Sequence, residues 1–327
     1  MKSSQLILVG VMLLVAGALI AFPPIGARAS AEGTFQRSLS VNGPVDIDVT
    51  TGSGSITVRT GSSDKVEING RIKASGWSDN AEERVRRLQA NPPIQQSGNS
   101  IRIGHIDSAD LRHNISISYE LVVPAATELK AHSGSGSQTV DGIRGPLEVS
   151  AGSGSVKISN IGNTVEAETG SGSIDVDHVK GNVRARAGSG SIRASDVGGG
   201  FEGNTGSGHI SLEQTAPGAV RAETGSGGME LRGVRGSLQA TAGSGGISAE
   251  GEPTAGWMVH TGSGSIHLRL PNDAAFDLSA RTSSGSISVN RPVTVQGTFG
   301  RKEIRGKVRG GGVPVEVQTG SGNIEIL

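Results

Sequence analysis

The chain has 327 residues, enough for two ordinary domains or one elongated repeat domain. Glycine is abundant at 52 residues, while Phe, Trp and Tyr number only 5, 2 and 1, so a core must be thin and aliphatic and no aromatic-walled pocket is to be expected. Thirty basic residues balance thirty acidic ones, which removes the electrostatic case for nucleic acid, and the lack of cysteine rules out a disulfide framework or a cysteine-linked lipid anchor.

The chain opens with Lys2, an uncharged apolar run from Leu6 to Phe22, Pro23-Pro24, and then Ala27-Arg28-Ala29. A basic start, an apolar middle and an A-x-A end describe a signal peptide over 1–29, with cleavage after Ala29. An uncleaved membrane anchor is the other reading. Its seventeen apolar residues are short against the about 20 that span a bilayer. Both readings place the body outside the membrane, in the periplasm, at the cell surface or beyond.

N-terminal strands and a first coil are expected over 30–60, with a tetrad starting at Gly52. An insertion over 61–125 follows, with strands near "KVEINGRIKA", "NSIRI" and "NISISYELVVP". Between them lies one short helix in "SDNAEERVRRLQA". Ser78 or Asp79 is the expected cap. Glu82 and Glu83 open the helix, basic residues follow, and Val85 and Leu88 form its buried stripe, with Trp77 a candidate to join them. Such a helix would cap or brace a sheet edge.

From 126 to 270 the chain repeats. Tetrads of the GSGS type start at 134, 152, 170, 188, 206, 225, 243 and 262, at intervals of 18 or 19 residues. Five residues before each glycine stand Leu147, Val165, Val183, Phe201, Val220, Leu238 and Trp257. Four after stand Val156, Ile174, Ile192, Ile210, Met229, Ile247 and Ile266. Apolar residues alternate on both sides, so each repeat holds two short strands with the tetrad as their corner. A second corner closes the unit near Ile161, Val179 and Val197.

Two strands and two corners in about 18 residues make one coil of a β-solenoid, and only stacking can bury its apolar face. The expected fold is therefore all-β, a parallel β-solenoid with a small helix-containing insertion. Outward positions agree: Glu166, Arg184, Glu202 and Arg221 alternate in sign down one column, and Lys157, Asp175 and Arg193 down another. A row of antiparallel hairpins would share the alternation but not the columns. Gly152, Gly154, Gly170, Gly172, Gly188, Gly190, Gly206 and Gly208 are read as structural corners, with positive φ expected at Gly170 or Gly172. They are not a nucleotide loop. Strand follows them instead of helix, and Lys157, Asp175 and Arg193 stand where the third glycine belongs.

Irregular coils are expected over 271–327, ending on a coil from Val315 to Ile326. Here Arg301, Lys302, Arg305, Lys307 and Arg309 form a cationic stretch that could touch anionic glycans or phospholipid. Glycoside cleavage needs two carboxylates in a cleft. Asp141, Asp177, Glu213 and Glu250 recur seven after the glycine, but Ser159, Ser195 and Arg232 separate them. His260 and His267 flank one corner and point outward. Only Trp77 and Trp257 could stack on sugar. No catalytic residue, cofactor or metal site is assigned.

The stretches "ISISYELVVPAATELKAHSGSGSQTVDGIRGPLEVSAGSGSVKISNI", "LPNDAAFDLSARTSSGSI" and "GGGVPVEVQTGSGNIEI" resemble the putative-adhesin family of bacterial β-strand-repeat proteins, domain of unknown function 4097. The resemblance runs from about Thr34 to the end. It implies a secreted or tethered envelope β-solenoid, with adhesion suggested by the family's name. The expected function is an exported structural or adhesion-type binding module without catalysis. Its expected partners are envelope glycan, lipid headgroups or another surface protein, and no nucleic acid. A glycan-active β-helix lyase or hydrolase is the rival reading. An envelope-stress accessory protein that binds membrane or a partner is the third.

Overall fold

The computed structural model describes residues 29–76, 80–106, 108, 111 and 113–327. The expected leader lies outside the described residues except for Ala29, where the first strand, Ala29–Ser40, begins. Around each tetrad the alternating apolar residues form two strands, such as Val165–Thr169 with Ile174–Val179, then Val183–Ala187 with Ile192–Val197. Strands before the tetrads stack in a 15-stranded sheet and strands after them in a 14-stranded sheet. Val165 pairs with Val183 and Val183 with Phe201, while Ile174 pairs with Ile192, all in parallel. The hairpin alternative is excluded along these coils.

Residues of alternate parity face inward from both sheets, and Val165, Val183, Phe201, Ile174, Ile192 and Ile210 are all fully buried. Each such side chain contributes about 1.5–3 kcal/mol of transfer free energy. Trp257 is buried too, its Nε1–H donating to the Gly236 carbonyl at 3.0 Å, so it offers no sugar platform.

The corners differ from expectation. Gly170 and Gly172 do not take positive φ; residues at the second corner do, at Gly142, Asn160, His178, Asp196 and Gly233 with φ between 51° and 84°, and tetrad glycines do so only from Gly227 onward. Ser159 pairs with Asp177 and Ile161 with Val179, so Asn160 and His178 drop out of the ladder. That extra left-handed residue turns the strand and lets Ile161 and Val179 point inward again. Glycine is required in the tetrads for a different reason. A Cβ on Gly154, Gly172 or Gly190 would lie 1.9, 1.9 or 1.7 Å from the carbonyl oxygen of the matching glycine one coil earlier. Backbone stacks directly on backbone there.

Both ends fold back. Strand Ala29–Ser40 pairs antiparallel with Lys65–Gly76, which pairs antiparallel with Ile115–Val123. The last of these pairs in parallel with Ile56–Thr60 of the first coil. The helix Ala81–Ala90 packs on the first two strands, with Ala81, Val85 and Leu88 buried and a Cβ on Gly33 reaching 2.5 Å from Val85. Its N-cap is Asn80, which makes no side-chain capping bond. The expected caps Ser78 and Asp79, and Trp77, lie outside the described residues.

At the other end the order of coils departs from the order of the sequence. The terminal strands Val313–Ser321 and Ile324–Ile326 insert between the Trp257 coil and the outer strands Phe276–Ser284 and Ile287–Val289. Leu327 then bonds the backbone of Leu268 and Leu270, and Arg291 donates to the carbonyls of Leu270, Pro271 and Leu327.

Candidate binding face

A long concavity lies on the outer face of the 15-stranded sheet. Along these strands the residues six and four before each tetrad point outward, while the residue five before points into the core. Their side chains therefore form two walls over a floor of backbone. One wall is long and charged: Lys130, Glu148, Glu166, Arg184, Glu202 and Arg221. The other begins with Glu128 and is short from there on: Pro146, Thr164, Asn182, Gly200, Ala219, Ser237 and Gly256. The unequal heights leave a groove of about 840 Å³ along the stacking axis, ending beside Met258, a half-exposed methionine. A second hollow of about 360 Å³, lined by Pro44, Asp46 and Arg144, shares Glu128 and Pro146 with it and carries it to the first coil.

The predicted charge column is real. Arg184 reaches Glu202 at 2.9 Å and Glu166 at 4.0 Å, and Arg186 bonds Glu166 at 3.3 Å and approaches Glu202 at 3.7 Å. On the opposite sheet Arg193 meets Asp175 at 3.8 Å. These half-exposed pairs steady the face more than they stabilise the fold, since each is worth about 0–1 kcal/mol.

The cationic stretch lies at the far end of the same face. Through the ladder, Met258 is followed by Glu316, Ser279 and Arg305, and the neighbouring outward column leads through Pro314 and Asp277 to Lys307. Arg305 and Arg281 are both held by Glu303, at 3.1 and 2.9 Å, and these cations keep the Glu303 carboxyl below its usual range, with the Arg281 hydrogen bond the first cause. Arg301 and Lys302 sit at the hairpin turn between Val293–Phe299 and Glu303–Val308, while Arg309, with φ 49°, sits in the connection from Glu303–Val308 to Val313–Ser321, two strands that Phe276–Ser284 separates. The five residues share one end of the molecule but do not converge on one point.

The recurrent carboxylates serve the stack. Asp141 accepts hydrogen bonds from Asn160 and Ser159, both at 2.7 Å, and these, the Asn160 bond first, hold its pKa low. Asp177 accepts from Ser195 at 2.6 Å, the chief cause of its lowered pKa. His178 lies 2.5 Å from Asp177 and 3.5 Å from Asp196, and its pKa is raised, chiefly by the bond to Asp177. Ser195 thus donates to the carboxylate and not to the histidine, the wrong polarity for an activated nucleophile. Asp141 and Asp177 are two strand spacings, about 10 Å, apart on an open face with Ser159 between them. His260 and His267 stand in different sheets. Among the described residues no three metal-ligating side chains form a cluster.

Sequence reasoning found the charged wall and missed the short one. The signal was present: Thr164, Asn182, Gly200, Ala219 and Ser237 recur at one position beside long charged residues.

The family model described as Toastrack DUF4097 matches residues 45–327. No curated protein matches the chain. Among solved structures it is similar to a "putative adhesin" from Parabacteroides distasonis, at 12% identity over 90% of this chain and 97% of the other, with TM-score 0.43. A "putative adhesin" from Bacteroides fragilis shares 14% identity over 90% and 97%, with TM-score 0.28. A "putative lipid binding protein" from Parabacteroides distasonis shares 13% over 90% and 96%, with TM-score 0.32.

Proposed function

With the chain a member of the Toastrack DUF4097 family, we propose that it is an exported envelope β-solenoid that binds a surface partner through its side face and performs no catalysis. The observation that carries this reading is the long two-walled groove, which offers many equivalent shallow contacts and no converging acid–base pair. Export is supported by the leader-like start ending at Ala27-Arg28-Ala29. The cationic end formed by Arg301, Lys302, Arg305, Lys307 and Arg309 adds an anion-attracting edge to that face. The candidate partners are envelope glycan, lipid headgroups and another surface protein.

Purified residues 30–327 are to be tested against isolated envelope glycan, anionic vesicles and intact bacterial cells. Saturable binding to at least one, without turnover, is expected; binding to none defeats the reading. Asp175→Asn and Asp177→Asn should leave binding within a few-fold, whereas loss of a catalytic acid or base removes about 100-fold or more. A glycan-cleaving activity abolished by either change would make the protein an enzyme.

A further inference from the structure

We infer that the axial groove is a site for one linear, uncharged, β-linked polysaccharide strand, lying along the stack and read about one sugar per coil. The inference rests on the binding-module reading above and names its ligand class.

The floor of the groove has no free backbone to offer. Leu147 N donates to Thr164 O, Val165 N to Asn182 O, Val183 N to Gly200 O and Phe201 N to Ala219 O, at 2.9–3.1 Å. A peptide laid along the groove would cross these strands at right angles and find no ladder to join, so strand addition, the usual mode for extended peptides, is closed. Recognition falls to the side chains of the two walls. These recur once per coil, about 4.8 Å apart, and the walls stand two residues, about 7 Å, from each other. An extended β-1,4-linked pyranose chain advances by about one such spacing per ring, and it can lie over the low column with one edge against the high wall. From the Asp46 coil to the Met258 coil there are eight steps, about 38 Å.

Charge selects against a polyanion. Along the high wall Lys130, Arg184 and Arg221 balance Glu148, Glu166 and Glu202, and the central ones already pair with one another. A charged polymer would have to break those pairs, while hydroxyl and amide groups can bond to both signs as they stand. With no exposed aromatic ring among the lining residues, a single sugar gains little. Affinity must build with length.

The test is calorimetry with fully N-acetylated, and so uncharged, chito-oligosaccharides of increasing length. Affinity should rise with each added ring and level off at about eight rings. Maltooligosaccharides, whose α-linkages curve the chain, should bind at least about tenfold more weakly. Ala219→Arg and Thr164→Arg, both exposed positions on the low wall, should each weaken the longest chain about tenfold or more. Either variant suffices if its melting temperature stays within about 2 °C of the parent. Asp175→Asn, on the opposite sheet, should change nothing. Affinity indifferent to chain length, unaltered binding in both wall variants, or preference for polygalacturonate or anionic vesicles each overturns the inference. Binding to cells or envelope material but not to these oligosaccharides sinks the groove assignment alone; binding to none of them sinks the binding-module reading with it.

Discussion

The hexapeptide TGSGSI occurs three times, at Thr51–Ile56, Thr169–Ile174 and Thr261–Ile266, and the last pair of copies folds in two ways. In the first, the strand stops at Thr169, Gly172 stays out of the positive-φ region, and its N–H bonds to the Thr169 hydroxyl at 3.1 Å. In the second, the strand runs on to Ser263, Gly264 takes φ +155°, and its N–H crosses to the Ser321 carbonyl of the next coil at 2.8 Å. Both threonine hydroxyls donate to the third-residue carbonyl of the preceding tetrad, Gly154 at 3.0 Å and Gly245 at 2.9 Å. The forms do not mix along the stack. The tetrads from Gly52 to Gly206 keep the first form, and Gly227, Gly245, Gly264, Gly285 and Gly322 all show the second, with φ from 146° to 155°. The change falls at the first 19-residue interval. The lesson is that a corner copies its neighbour, because each tetrad's backbone is bonded to and packed on the one beside it.

The sharpest break of this comparison is substitution of the third glycine. A Cβ on Gly264 would lie 2.1 Å from the Gly245 oxygen and also force a side chain into a glycine-only conformation, so Gly264→Ala should cost about 3 kcal/mol or more. Gly172→Ala meets the clash without the positive φ and should cost about 2 kcal/mol. Gly52→Ala, with nothing within 4 Å of its Cβ, should stay within about 0.5 kcal/mol. Urea unfolding ranks the three; equal tolerance would mean the tetrads are not backbone contacts.

Threonine comes next. Thr169→Val removes an acceptor and a donor from the first form and should cost about 2 kcal/mol, against about 1 kcal/mol for Thr261→Val, where only the donor is used. The same unfolding series reads the difference. Its reversal would mean the hydroxyls do not distinguish the two corners.

The second corner gives a smaller effect. His178 sits at φ 54°, so His178→Val should cost about 1 kcal/mol, while His178→Asn should be nearly neutral, as Asn160 already occupies the same place one coil earlier. Hydrogen exchange at Val179 and Lys180 would locate any loosening.

The smallest effect is on pH. The raised His178 pKa marks stabilisation fully present below the ordinary histidine value and lost as pH rises through the folded value. The lowered Asp177 pKa marks stabilisation present above the ordinary aspartate value and lost as pH falls through the folded one. The pair therefore acts in the window between those two folded values. NMR titration of His178 should show its raised pKa, and Asp177→Asn should move it back toward the ordinary value.

Read from residues alone, the chain fixed its period, its two strands per coil, its inward columns from Leu147 to Trp257 and its outward charge ladder, because alternation and spacing are local properties. It also marked the helix through Val85 and Leu88. Three features depended on contacts that no local pattern encodes. The form of each tetrad is set by the neighbouring coil, as the copies of TGSGSI at Thr169 and Thr261 show. The insertion of Val313–Ser321 between Trp257–Ser263 and Phe276–Ser284 is a choice among sheet edges with the same apolar pattern, settled by packing. The groove exists only because stacking brings Thr164, Asn182, Gly200 and Ala219 into one low wall beside a high one. Periodicity is written in the chain; neighbours and surface relief arise only when the coils meet.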